Sequence, residues 1–166
     1  HVNASQSTND AYPTALKIAT WFGIQQLLQA LAGLRGAFEA KATEFATVLK
    51  IGRTQMQDAV PMTLGQEFAA FASMIADDEQ RLRESARLMT EVNMGGTAIG
   101  TGINAPVGYV DVVIPLLAEL SGVPVTRAAD LIAATADTGS FVDVSGTLKR
   151  IAVDTARMAV PPEAKA

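Results

Sequence analysis

The feature that most constrains this chain is a run of apolar positions. Leu64, Phe68, Phe71, Ile75, Asp78, Leu82, Ser85, Met89 and Val92 follow one another at alternating steps of four and three. That spacing is the narrow seam of a helix packed lengthwise against other helices, with Asp78 and Ser85 as polar interruptions. Thr63 with Gln66 three residues on has the form of a capping box and sets the expected start. About thirty helical residues at 1.5 Å each reach ~45 Å, too long for a domain of 166 residues to cover alone. The expected fold class is therefore all-α, a long-helix bundle, with residues 1–166 forming a single helical domain and the bundle shared between chains.

Other helices are placed by the same reasoning. One is expected from Pro13, a tolerated first helical residue, to near Lys50, with Gly33 and Gly36 kinking or breaking its middle. A shorter one is expected over Asp111 to Leu120 and a last long one from near Ala128 toward Met158, closed by "PPEAKA". Between them lies a glycine-rich loop, "GGTAIGTGINAPVGY". Its "GTGINA" lacks the third glycine of a dinucleotide fingerprint and follows a helix instead of a strand, so close backbone approach is the better account.

Composition narrows function by exclusion. The net charge is −4 and the 13 Lys and Arg are scattered, which argues against a nucleic-acid surface. There is no cysteine, and His1 is the only histidine, so no metal site, thiol nucleophile or serine-hydrolase triad is expected. The longest uncharged run, Val92 to Val110, holds five glycines and a proline and makes a poor membrane span. "HVNASQ" shows no signal-peptide pattern, and a cytoplasmic location is expected. The opening without Met suggests a piece of something longer.

Two polar clusters remain, "SQSTND" at residues 5–10 and "GRTQMQDA" at 52–59, each ahead of a long helix. Capping chemistry explains one such residue per helix, and the first cluster offers five. Helix N-termini also attract anions, so a small-anion site and capping with packing both stay open.

In order and spacing, "VNASQSTNDAYPTALKIA", "GRTQMQDAVPMTLGQEF" and "GGTAIGTGINAP" resemble segments of the aspartase/fumarase superfamily, from Val2 to about Met158. The likeness is greatest to the aspartate ammonia-lyase family, because Gln55 stands where class II fumarases carry a histidine implicated in proton transfer. The resemblance implies the central helical domain of that fold, truncated, and a carbon–nitrogen lyase that converts L-aspartate to fumarate and ammonia by anti elimination. It implies that Ser7, Thr8 and Asn9 contact the substrate's carboxylates and amino group, that Thr54 donates to a carboxylate, and that Gln55 positions without titrating. It implies a homotetramer, a small dicarboxylate substrate, no cofactor and no metal ligand. The family's base serine lies in a "GSSxMPxKxN" segment that these residues do not contain, so this chain by itself is expected to be inactive. A class II fumarase-type lyase and an inert helical assembly module are the alternatives.

Overall fold

The computed structural model describes residues 3–159. Five helices and four short strands make up the described residues: α1 (Thr8–Glu44), β1 (Leu49–Thr54), β2 (Gln57–Thr63), α2 (Leu64–Leu88), β3 (Glu91–Val92), α3 (Tyr109–Ser121), β4 (Thr126–Arg127), α4 (Leu131–Ala136) and α5 (Gly139–Ala159). The helical class expected from the seam is the one observed. Of the described residues, 3–26 with 83–145 form one compact unit, and 27–82 with 146–159 form a second.

The seam carries through as burial. Ile75, Asp78, Leu82, Ser85, Met89 and Val92 are all buried. Its conformation changes, however. α2 stops at Leu88 after 25 residues, ~37 Å at 1.5 Å per residue, and Val92 pairs in a parallel two-residue ladder with Arg127. The capping box forms as expected. Thr63 Oγ1 accepts from Gln66 N at 3.1 Å, and Gln66 Oε1 accepts from Thr63 N at 2.9 Å.

α1 departs from expectation at both ends. It begins at Thr8, so Pro13 lies inside it. A proline there cannot donate to the carbonyl four residues back, that of Asn9. Asn93 Nδ2 supplies the missing donor at 2.9 Å, which is why the helix runs through. Gly33 and Gly36 do not break it either, and it ends at Glu44, short of Lys50. The chain then turns into the antiparallel hairpin β1–β2, which helical periodicity gave no reason to expect.

In the first unit, Val92, Met94, Ile114, Val123 and Val125 form a buried core, with Ala11, Ile18, Trp21 and Tyr109 packed against it. α3 runs slightly longer than expected and holds Pro115 in its interior. The expected last helix is two. Asp130 Oδ1 accepts from Ile132 N and Ala133 N to start α4, and Asp137 Oδ1 accepts from Gly139 N at 2.9 Å to start α5. These are local side-chain contacts that compete with a continuous helix.

In the second unit, Phe38 of α1 and Phe45, the residue just past its end, meet Phe68 and Phe71 of α2 at centroid separations of 5.6–6.0 Å. That range suits tilted and edge-on ring pairs. The helices approach closely where α2 begins: a Cβ on Gly65 would lie 2.5 Å from Ala42 O, so only glycine fits. On the exposed side of this unit, Arg150 of α5 pairs with Asp77 of α2. It also lies 3.1 Å from Asp78 and 3.7 Å from Asp154.

Candidate functional site

The first polar cluster becomes the N-terminus of α1, and its chain conformation is set by two side chains. Ser7 Oγ accepts from Asn9 N at 3.2 Å, and Asp10 Oδ1 accepts from Ser7 N at 2.8 Å. This is reciprocal capping with an aspartate in the third helical position, so the capping account of this cluster is correct as far as it goes. It employs Ser7 and Asp10 only.

Asp10 does more than cap. It is fully buried, and its second oxygen accepts from Gly95 N at 3.1 Å and Thr97 N at 2.8 Å, in the glycine-rich loop. Three backbone N–H groups converge on one carboxylate, and its burial is thereby compensated. Thr8 and Asn9 are exposed beside it. Asn9 Nδ2 donates to Ala98 O at 2.7 Å, and the Asn9 carbonyl is held by Asn93, which also donates to Thr135 Oγ1 at 3.0 Å. Asn93 itself is buried.

The loop that receives these bonds is built from backbone that side chains rarely tolerate. Gly95, Thr97, Gly100 and Gly102 all have positive φ. A Cβ on Gly100 would sit 2.4 Å from Ile132 Cα and Leu131 O, so the loop and α4 touch backbone to backbone. That bears out the expectation of close approach. A half-buried lysine lies further along α1: Lys17 Nζ donates to Glu91 O at 2.7 Å. Desolvation pushes its pKa down, and Glu91 and Asp137 partly oppose this.

The second cluster does not cap α2. Its residues lie in the hairpin, and Thr63 with Gln66 does the capping instead. Thr54 ends β1 and pairs with Gln57. Gln55 and Met56 form the two-residue turn, with φ of 51° and 61°. Positive φ at both positions is the backbone of a type I′ turn, which favours Asn-Gly. Here it is imposed on Gln and Met, and the strained turn holds Gln55 exposed at the hairpin tip. Arg53 Nε, paired with Asp58 Oδ1 at 3.1 Å, braces the strands just below.

Ser7, Thr8 and Asn9 therefore lie together in the first unit, and Thr54 and Gln55 together in the second. Reading the sequence for function missed Asp10, Asn93 and Thr97. The Ser-x-x-Asp spacing of a cap was available for Asp10. No local signal pointed to Asn93, whose partner is a carbonyl 84 residues away. Among the described residues, no group of three or more His, Cys, Asp or Glu could hold a metal ion. No described helix is long and apolar enough to cross a membrane.

The family model described as Lyase matches residues 1–160, and the chain belongs to that family, within the aspartase/fumarase superfamily. Its similarity is strong to aspartate ammonia-lyase of Pseudomonas aeruginosa, 60% identical over 153 residues, and to that of Escherichia coli, 52% identical over 153 residues. Each match covers 92% of this chain and 32% of the relative, so the chain spans about a third of their length. Among solved structures, a fumarate lyase:delta crystallin from Brucella melitensis bound to cobalt superposes with a TM-score of 0.93 at 54% identity. It is matched over 95% of this chain and 34% of its own. A class II fumarase from Schistosoma mansoni gives 0.84 at 32% identity, over 95% and 36%.

Proposed function

We propose that this chain supplies part of the dicarboxylate site of an aspartate ammonia-lyase. One observation carries the reading: relatives of that name share 52–60% identity with it, against 32% for the class II fumarase structure. Gln55, which cannot titrate, fits the same side of that division.

The chemistry asked of the site is specific. A base takes a proton from Cβ of aspartate, and the electron pair is held on the neighbouring carboxylate as an enediolate. The pair then returns to form the carbon–carbon double bond of fumarate as the amino group leaves as ammonia. The intermediate concentrates negative charge, so preorganised donors aimed at its oxygens lower the barrier. In this reading Ser7, Thr8 and Asn9, beside the positive end of a 37-residue helix, meet the substrate's carboxylates and amino group. Thr54 donates to a carboxylate, and Gln55 orients it from the hairpin tip. The serine base falls to a "GSSxMPxKxN" segment, which residues 1–166 do not contain.

The test is a chimera in which this chain replaces the matching segment of the Pseudomonas aeruginosa enzyme. Fumarate production, followed by its ultraviolet absorbance, should proceed from aspartate and be far slower from malate. Faster turnover of malate refutes the aspartase reading. A chimera that does not assemble, or assembles without turnover, favours the inert-module alternative. The isolated chain should self-associate through its exposed apolar side chains, among them Leu49, Val107 and Leu120. Light scattering from a well-behaved monomer would remove that part of the proposal.

A further inference from the structure

We infer that Asp10 is a positioning residue for the elimination: it fixes the Ser7–Asn9 donors against the glycine-rich loop without itself meeting the substrate. The inference rests on the function proposed above.

Its basis is a convergence within the first unit. The Asp10 side chain is fully buried and accepts from three backbone N–H groups, those of Ser7, Gly95 and Thr97, at 2.8–3.1 Å. One oxygen sets the start of α1, and the other sets the loop. Asn9, between them in space, spans the same two elements, with its amide on Ala98 O and its own N–H on Ser7 Oγ. The orientation of Asn9 thus depends on a loop whose shape depends on Asp10. That loop has four residues of positive φ within eight. Such backbone persists only where its surroundings over-determine it, and the carboxylate holds two of the N–H groups that define it. A cap alone would need the Ser7 bond only. The two bonds to the loop, 85 and 87 residues away, are what a positioning role requires.

Asp10→Asn tests this in the Pseudomonas aeruginosa chimera. The amide keeps the shape but turns an N–H₂ either toward the Ser7 N–H or toward the N–H pair of Gly95 and Thr97, so one of the two elements loses its anchor. Turnover of assembled enzyme, measured well below its melting temperature, should lose about 10- to 100-fold in kcat/KM for aspartate. Competitive inhibition by fumarate should weaken with it. In an Asn9→Ala background the same change should cost little further, because two residues acting through one contact are not additive. Full additivity, or a lowered melting temperature with unaltered kinetics per assembled enzyme, overturns the inference. Should Asp10→Asn not assemble, Asp10→Glu, which keeps the acceptors, takes its place in the cycle; failure of both makes the role structural and overturns the inference. A parent chimera without turnover instead defeats the proposed function. Hydrogen exchange in the chain itself then decides the anchoring. Faster exchange at Gly95 and Thr97 in Asp10→Ala, which removes every acceptor, sustains it, and unchanged exchange overturns it.

Discussion

The N-terminus of α1 and the tip of the β1–β2 hairpin have similar polar sequences and are held by opposite means. At the helix start, a buried carboxylate and a buried amide tie the backbone to a loop more than 80 residues away. At the hairpin, nearly every residue from Gly52 to Pro61 is exposed, and the shape comes from a two-residue turn of left-handed backbone. One site is fixed by satisfied long-range bonds and the other by local strain. A polar cluster in sequence is thus no guide to how firmly its members are placed.

The largest effect should separate the two at their glycines. Gly100→Ala puts a methyl 2.4 Å from the backbone of α4 at φ 91°, and should cost more than about 3 kcal/mol in urea unfolding. Gly52→Ala meets Met62 Sδ at 3.0 Å and Val60 O at 3.2 Å. A flexible side chain and an exposed strand can give way, so about 1 kcal/mol is expected. Equal losses would mean that the loop is no more tightly held than the hairpin.

Next come the exposed donors. On the proposed reading, Asn9→Ala and Thr54→Ala each remove one contact to a charged substrate, and in the chimera each should lower kcat/KM by the equivalent of about 2–3 kcal/mol. Unchanged kinetics in either would remove that cluster from the site. Smaller still is the relief of strain. Met56→Gly should stabilise the chain by about 0.5–1 kcal/mol, since glycine occupies positive φ without penalty. A destabilised Met56→Gly chain would show that the turn is not strained.

How much of this was legible can be traced through particular residues. The seam from Leu64, the Thr63–Gln66 box and the glycine loop each rest on neighbours within a few positions, and each was readable. The unbroken α1 was not, because the donor that replaces the one missing at Pro13 comes from Asn93. The hairpin was hidden for another reason: its turn carries Gln-Met where Asn-Gly would have announced it. The split between α4 and α5 could have been seen, since Asp130 and Asp137 each stand two residues before an N–H they accept. For the site, the family motifs picked out Ser7, Thr8, Asn9, Thr54 and Gln55. Nothing local marked Asn93, which holds the carbonyl of Asn9.

A final contrast concerns the carboxylates themselves. Asp10 and Asp78 are both fully buried, but among the described residues the oxygens of Asp78 have no hydrogen-bond partner, and Arg150 lies 3.1 Å from Oδ1. Burial raises the pKa of Asp78, Asp154 adds to the rise, and Arg150 opposes it. Its neighbour Asp77, hydrogen-bonded to the same arginine, is shifted down. The signs then oppose one another. For Asp78 the native state holds the proton more tightly, so its contribution to stability declines as pH rises from the ordinary 3.8 through the raised value. For Asp77 stability is present above 3.8 and is lost as pH falls through the lowered value. Asp78→Asn should therefore resemble the parent chain in acid and become the more stable of the two toward neutral pH, as read by denaturant unfolding across that range. The gain should be the smallest of these effects, because Asp77 and Asp154 still face Arg150. A variant less stable than the parent at neutral pH would mean that the Arg150 contact outweighs the cost of burying the charge, and that arginine secures a carboxylate here as well as three N–H groups do at Asp10.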